Sequence, residues 1–129
     1  MKPIEIIELR TCTIRIDGEG ILRVKIKDGV KIDEEEVKKV YDVIRRLSRD
    51  KKMLELIEGG SFYTFNEDAQ KYAAKHGKDL FIASAIIIRS TAMRLLFNFF
   101  NTFLKHPVPF KMFAKETDAL QWLRSFKEN

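Results

Sequence analysis

Apolar and polar residues alternate in two short stretches near the start of the chain. In residues 11–17 and again in residues 21–27, the even-numbered side chains are hydrophobic and most of their neighbours are polar. This is the period of a β-strand with one face in water. The segment between them, residues 17–20, contains an aspartate and two glycines, which favour a turn. The pattern therefore predicts a β-hairpin.

The next segment has the three- and four-residue spacing of an amphipathic helix. Asp33 is a suitable N-cap, and Glu36 follows three residues later, as in a capping box. Acidic residues at the start and arginines at the end match the helix dipole. The helix is therefore predicted to bury one apolar stripe, which consists of Val37, Val40, Tyr41, Ile44 and Leu47.

The middle of the chain is predicted to form a strand, an aromatic loop and a short helix. Residues 53–58 are a short strand that ends at two glycines, and the loop that follows, residues 61–66, is unusually aromatic. A short helix comes next. Either Thr64 or Asn66 can cap its start, and Gly77 ends it.

The C-terminal third predicts two strands and two helices in alternation. Residues 80–88 form an apolar run typical of a strand that is buried on both faces, and residues 90–105 form a Phe-rich helix. After a Pro-containing break, residues 110–113 read as a strand and residues 116–127 as a last helix.

The order of elements is therefore β-β-α-β-α-β-α-β-α, which predicts an α/β fold. We expect a mixed, mainly parallel five-stranded sheet with covering helices. With 129 residues the chain is expected to be a single domain, residues 1–129. Its N-terminal segment, residues 1–10, is expected to be extended or packed on the core.

Composition and charge narrow the function classes. Hydrophobic residues make up 45% and charged residues 33% of the chain, as in soluble globular proteins. The net charge of +5 is spread along the chain, which disfavours a nucleic-acid binder. Cys12 is the single cysteine, and no apolar run reaches the length of a membrane helix. These features predict a cytoplasmic protein without a membrane span.

The Phe-rich helix, residues 90–105, is more apolar than a helix lying on a sheet requires. Its apolar side chains cover about 200° of the helical wheel, whereas roughly 100° is enough to cover one face. A neighbouring helix or the N-terminal segment, a dimer or partner interface, and a lipid-like ligand are three alternative ways to cover the surplus. The predicted partner or ligand surface combines the loop aromatics with the helix flanks and consists of Phe62, Tyr63, Phe65, Leu95, Phe97, Phe99 and Leu104.

The element order resembles the STAS domain, the fold of the sporulation anti-sigma factor antagonist. More closely, the C-terminal half is similar to uncharacterised bacterial STAS-like proteins. Both have an apolar strand, a Phe-rich helix containing arginine, a Pro-X-Pro break before a strand that ends in Phe, and an Ala-Leu-X-Trp-Leu segment. The matching residues here are 83–88, 94–100, 107–113 and 119–123.

The resemblance implies a non-enzymatic regulatory module that binds a protein partner, with phosphorylation ending the binding. The family's acceptor is a Ser or Thr in an Asp-Ser or Asp-Thr pair where the third strand meets the second helix. That pair is absent here. Thr64 is the nearest hydroxyl and Ser61 lies further out, while Glu67 and Asp68 would repel a phosphate. A carrier or sensor of an apolar, lipid-like ligand is the alternative function.

Other chemistry has weaker support in the sequence. Arg89 and Ser90 follow an apolar strand and begin a predicted helix, so an anion could bind there, or Ser90 could simply cap the helix. His76 and His106 have no metal-ligand spacing with other residues. We therefore predict no catalytic residues, no metal and no cofactor. A protein partner or a second copy of the chain is expected instead.

Overall fold

The computed structural model describes residues 5–90 and 108–127, and these residues form a six-stranded sheet. Two further short strands, β4 (Lys31–Ile32) and β6 (Thr64–Phe65), pair with each other outside that sheet. The strands of the main sheet are β1 (Ile7–Glu8), β2 (Cys12–Ile16), β3 (Leu22–Ile26), β5 (Met53–Glu58), β7 (Phe81–Ile87) and β8 (Phe110–Phe113).

Three α-helices lie within the described residues. They are α1 (Glu34–Ser48), α2 (Glu67–His76) and α3 (Glu116–Arg124), and a single 3-10 turn, Gly77–Asp79, follows α2. The predicted last helix, residues 116–127, ends three residues early at Arg124. The predicted Phe-rich helix, residues 90–105, lies outside the described residues apart from Ser90.

The strand order confirms a mixed, mainly parallel α/β fold. It is β1-β2-β3-β5-β7-β8, with antiparallel pairing from β1 to β3 and parallel pairing from β3 to β8. The predicted number of five strands is wrong, because β1 adds a sixth at the edge next to β2. A two-residue strand is too short to show alternation, so the sequence pattern could not reveal it.

The predicted aromatic loop is partly ordered as β6. Thr64 donates its backbone N–H to Val30 O at 2.9 Å, and Asn66 donates to Ile32 O at 3.1 Å. Lys31 pairs with Thr64 and Ile32 with Phe65 in this small parallel ladder. The segment before α1 and the segment before α2 are therefore fastened to each other.

The starts of α1 and α2 are capped by side chains. Asp33 accepts a hydrogen bond from Glu36 N at 2.9 Å, as the sequence predicted. Asn66 accepts one from Ala69 N at 2.8 Å, so Asn66 rather than Thr64 caps α2. The start of α3, after Lys115, has no such side-chain bond.

The two faces of the sheet pack against different helices. Helix α3 covers what we call the α3 face, where Leu54 and Leu56 of β5 meet Ala119 and Leu123. Helices α1 and α2 cover the opposite, α1/α2 face. Its described core comes from β2, β3, β7 and the two helices, and includes Ile14, Val24, Tyr41, Ile44, Ala69 and Phe81.

A candidate binding cleft at the carboxyl edge of the sheet

The carboxyl ends of the parallel strands β3, β5, β7 and β8 meet at one edge of the sheet, where α/β proteins usually bind ligands. A cleft opens at this edge and continues over the α1/α2 face, where most of the side chains that line it are buried. Gly60, Phe62 and Arg89 line the part beyond the strand ends. The part over the sheet is lined by Tyr41, Glu55, Ile57, Ser84, Ile86 and Met112, among others.

The loop after β5, residues 59–66, is anchored to the end of β3. Ser61 donates its backbone N–H to Asp28 Oδ1 at 2.7 Å, and its carbonyl accepts from Gly29 N at 2.8 Å. A Cβ atom on Gly60 would lie 2.6 Å from the carbonyl oxygen of Ile26, so a larger residue would push the two segments apart. These contacts hold the loop in one conformation at the mouth of the cleft.

The three predicted loop aromatics have different environments. Tyr63 and Phe65 are half-buried and pack against the core of the α1/α2 face. Phe62, in contrast, is 94% exposed, and its backbone is left-handed with φ 58°. That conformation costs a non-glycine residue about 1–2 kcal/mol. The loop therefore presents a phenyl ring to solvent at a cost in backbone energy.

The two predicted phospho-acceptors are exposed residues of this anchored loop. Ser61 lies next to Phe62, and Thr64 lies in β6. Acidic Glu67 and Asp68 occupy the first turn of α2. The geometry does not test phosphorylation, which stays a prediction from the family resemblance.

The other predicted site residues fall partly outside the described chain. Arg89 and Ser90 follow β7, are exposed and line the mouth of the cleft, while anion binding there stays a prediction. The remaining four predicted surface residues lie outside the described residues. These four are Leu95, Phe97, Phe99 and Leu104.

A buried polar pair lies in the middle of the sheet and was missed by the sequence analysis. Glu55 of β5 is 6% exposed and stands between Leu22 of β3 and Ser84 of β7. Ser84 Oγ donates a hydrogen bond to Glu55 Oε1 at 2.8 Å. Burial raises the pKa of Glu55 to about 7, although the bond from Ser84 favours the ionised carboxylate.

Further buried polar groups lie on the same face. The hydroxyl of Thr11 is buried beside the thiol of Cys12, with which it can form a hydrogen bond. Burial also raises the pKa of the Cys12 thiol to about 11 and the pKa of the Tyr41 hydroxyl above its usual range. All three residues, like Glu55 and Ser84, line the cleft. The α1/α2 face therefore combines an apolar core with several polar groups.

A signal for Glu55 was present in the sequence. The sequence prediction gave residues 53–58 only as a short strand and did not single out Glu55. A strand in the middle of a parallel sheet is covered by helices on both faces, so a carboxyl group within it has no access to water. A glutamate at such a position is therefore a candidate site residue, because burying a carboxyl group is costly.

The described residues contain neither a cluster of metal ligands nor a helix that could span a membrane. Within residues 5–90 and 108–127, no three His, Cys, Asp or Glu side chains are grouped to hold a metal ion. His76 stacks on Tyr72 with ring centroids 4.3 Å apart at the end of α2. In these same stretches of the chain, no helix has the length and hydrophobicity to cross a bilayer.

The sheet order and the cleft at its carboxyl edge define a STAS-like α/β protein, and comparison with solved structures confirms this class. The chain is similar to an uncharacterised protein of the DUF3478 family from Shewanella loihica PV-4, described as having a SpoIIAA-like fold. The two are 25% identical with a TM-score of 0.56, and the match covers 94% of this chain and 92% of that one.

A protein-family model matches most of the chain. A model described as a domain of unknown function, DUF7793, matches residues 14–127, so the chain belongs to this family. A protein of unknown function from Arthrobacter sp. FB24 is 24% identical, with coverage of 85% of this chain and 90% of that one and a TM-score of 0.30. No curated protein is significantly similar to the chain. The prediction of an uncharacterised STAS-like family is confirmed.

Proposed function

We propose that this chain is a non-enzymatic, cytoplasmic binding module that docks a protein partner through the loop of residues 59–66. The observation behind this proposal is Phe62, whose ring is 94% exposed in a loop fastened to the end of β3. The partner would offer an apolar pocket for this ring. A single free thiol, Cys12, is consistent with a reducing compartment.

The physical reason is that the loop is already ordered and already exposes its aromatic ring before a partner binds. Exposed aromatic residues often contribute most of the energy of an interface, because a pocket can remove the whole ring from water. An anchored loop also loses little conformational entropy when it docks. The fold resemblance supports the same function, since STAS-type antagonists act by binding a protein.

The test compares Phe62→Ala with Ile82→Ala. Ile82 is 40% exposed in β7 and is not among the residues that line the large cleft, so it is a matched control for loss of exposed apolar surface. Proteins captured from the host by wild type would be identified, purified and titrated against each variant. We expect Phe62→Ala to weaken binding by about thirtyfold or more and Ile82→Ala by less than about threefold.

Two results decide the matter. If Phe62→Ala binds the purified partner as tightly as wild type does, the docking proposal is wrong. Sedimentation velocity over a range of concentrations is the parallel measurement for self-association. If wild type dimerises and Phe62→Ala does not, the partner is a second copy of this chain.

The cleft favours a second candidate function, a carrier or sensor of an apolar ligand. Its described walls include apolar side chains from four different strands, such as Val24, Ile57, Ile86 and Met112. Native mass spectrometry of protein purified gently from its host tests this function. Extra mass that is lost on denaturation supports a carrier, whereas a bare chain that still binds its protein partner supports docking alone.

A further inference from the structure

We infer that a pocket at the amino edge of the sheet binds a small amphipathic anion, whose head group meets Lys51 and Lys52 while its apolar body lies against Ile82. The pocket is at the opposite end of the parallel strands from the cleft and from Phe62. The inference therefore goes beyond both proposed functions and does not depend on them. It rests on the accessible apolar floor of the pocket, on the charge of its rim and on the anchored turn that carries the two lysines.

The pocket has an apolar floor that solvent reaches. Its volume is about 310 Å³, at the lower end of the range typical of small-molecule sites. Met53 is half-buried and Ile82 is 40% exposed, so the pocket is open to solvent. The apolar side chains that line it come from α1, the hairpin of β2 and β3, β5 and β7, and they are Ile16, Ile21, Leu47, Met53, Leu54 and Ile82.

The rim of the pocket carries an excess of positive charge. Lys51, Lys52 and Lys127 line it, and Glu19 is the one acidic side chain among the described lining residues. Arg124 donates to both carboxylate oxygens of Glu19, at 2.5 and 2.9 Å, and Lys127 donates to Oε2 at 3.0 Å. These bonds lower the pKa of Glu19 to about 2, so it stays ionised and already neutralised by its partners.

The other two rim lysines keep their charge available. Lys51 and Lys52 are exposed, and neither forms an ion pair with another described residue. Asp50, which precedes them, is exposed and is not among the residues that line the pocket. An anionic group at the rim would therefore meet two ammonium groups without having to displace a carboxylate of the protein.

The turn after α1 holds these two lysines at the rim. Arg49 and Asp50 are both left-handed, with φ of 53° and 63°, a conformation that is unfavourable for residues with a Cβ atom. Asp50 donates its backbone N–H to Arg45 O at 3.1 Å, and Lys51 donates to Ser48 O at 3.1 Å. The backbone that carries the lysines is therefore ordered before a ligand binds, which lowers the entropy cost of binding.

The combination of an apolar floor with a cationic rim selects the class of ligand. The rim lysines attract a carboxylate or a phosphate and repel a cation. The floor adds affinity in proportion to the hydrocarbon area that it removes from water. The small volume of the pocket favours one short chain or ring system over a peptide segment. A small molecule with one apolar body and one anionic head satisfies all three conditions.

Fluorescence titration of the full chain with two matched probes tests the inference. The probes are 8-anilinonaphthalene-1-sulfonate and N-phenyl-1-naphthylamine, which share one ring system, but only the first carries an anionic group. We expect wild type to bind the sulfonate probe about tenfold more tightly than the neutral probe at low salt. The difference should shrink in about 0.5 M NaCl, because salt screens the charge of exposed lysines.

Variants assign the sulfonate probe to this pocket. Lys51→Gln combined with Lys52→Gln should weaken its binding about tenfold or more and leave the neutral probe unaffected. Lys75→Gln combined with Lys78→Gln is the matched control and should retain wild-type binding. It removes the same charge from exposed residues that line neither the pocket nor the cleft. Ile82→Ala should weaken binding of the sulfonate probe about threefold, because it removes part of the apolar floor.

Competitors of equal chain length distinguish the two possible head groups. Octanoate and octyl phosphate should both displace the sulfonate probe, and the more effective of the two identifies the head group that the pocket prefers. For the same displacement, 1-octanol should require a concentration at least about tenfold higher, because it carries no charge.

Three results would overturn the inference. They are a wild type that does not bind the sulfonate probe, a lysine double variant of the pocket that keeps the wild-type affinity for it, and 1-octanol that competes as well as both anions. Docking through Phe62 and ligand binding in the cleft have their own tests, because neither site includes Lys51 or Lys52.

Discussion

The two faces of the central strand β5 differ in what they bury. On the α3 face, Leu54 and Leu56 pack against Ala119 and Leu123, and the partly buried Arg23 beside them forms ion pairs with Asp17 and Glu116. On the α1/α2 face, Glu55 lies between the two leucines in sequence and is 6% exposed, and its hydrogen bond comes from the neutral hydroxyl of Ser84. The charged side chain of one face is therefore neutralised by charged partners, whereas among the described residues the buried carboxyl group of the other face forms no ion pair. The comparison makes Glu55 the unusual polar group of this strand.

The largest expected change in stability comes from creating a cavity in the core of the α3 face. Leu56 is fully buried between the sheet and α3, so Leu56→Ala removes buried methyl groups and leaves a cavity. We expect the free energy of unfolding to fall by about 2–5 kcal/mol, measured by urea denaturation. A loss below about 1 kcal/mol would show that this face is loosely packed and would undo the contrast between the faces.

The second prediction is that replacing Glu55 becomes more favourable for the stability of the folded chain as pH rises. Its pKa rises from 4.5 to about 7 on folding, so the folded state holds a proton that the unfolded state releases between those values. The contribution of Glu55 to the stability of wild type should therefore fall as pH rises from 4.5 through 7. The stability of Glu55→Met relative to wild type should rise by about 3 kcal/mol over this window and stay constant below pH 4.5.

Urea denaturation of both chains across this pH range measures the difference, because the titrations of other groups cancel between them. Glu35→Gln is the matched control on the exposed side of α1 and should show no such trend. If Glu55→Met were less stable than wild type at alkaline pH, Glu55 would have to be counted as a stabilising core residue. The contrast between the faces would then lose its functional meaning.

The smallest expected effects are at the helix starts. Asp33→Ala removes the side-chain cap of α1 on the α1/α2 face and should lower the free energy of unfolding by about 1 kcal/mol.

Lys115→Asn introduces a capping side chain before α3, where no side-chain cap is bonded in the wild type. It should raise the free energy of unfolding by about 0.5–1 kcal/mol. The same denaturation assay measures both. Equal effects of the same sign would mean that neither side chain acts as a cap.

The sequence predicted the elements whose signals are local. The hairpin of β2 and β3 follows from strict alternation, and α1 follows from Asp33 with an apolar stripe behind it. These predictions succeed because the residues that decide the structure are within a few positions of one another. The STAS-like element order is then a consequence of alternating strands and helices.

The structure added the features that depend on distant contacts. The ladder of β4 and β6 forms because Ile32 and Phe65, 33 positions apart, meet beside the helix starts. Glu55 was missed for a related reason, since its burial depends on helices on both sides of the sheet. Sequence alternation shows which side chains share a face, but it does not show whether water reaches that face.

The environment of Cys12 has a practical consequence for chemical labelling. The thiol is 2% exposed and its pKa is raised to about 11, so roughly one molecule in ten thousand carries the reactive thiolate at neutral pH. Towards maleimides and iodoacetamides, the folded chain should behave as if it had no cysteine. A cysteine introduced at the exposed Ser61 would then be the preferred attachment point, and a dye placed there would report events at the mouth of the cleft without any change to Cys12.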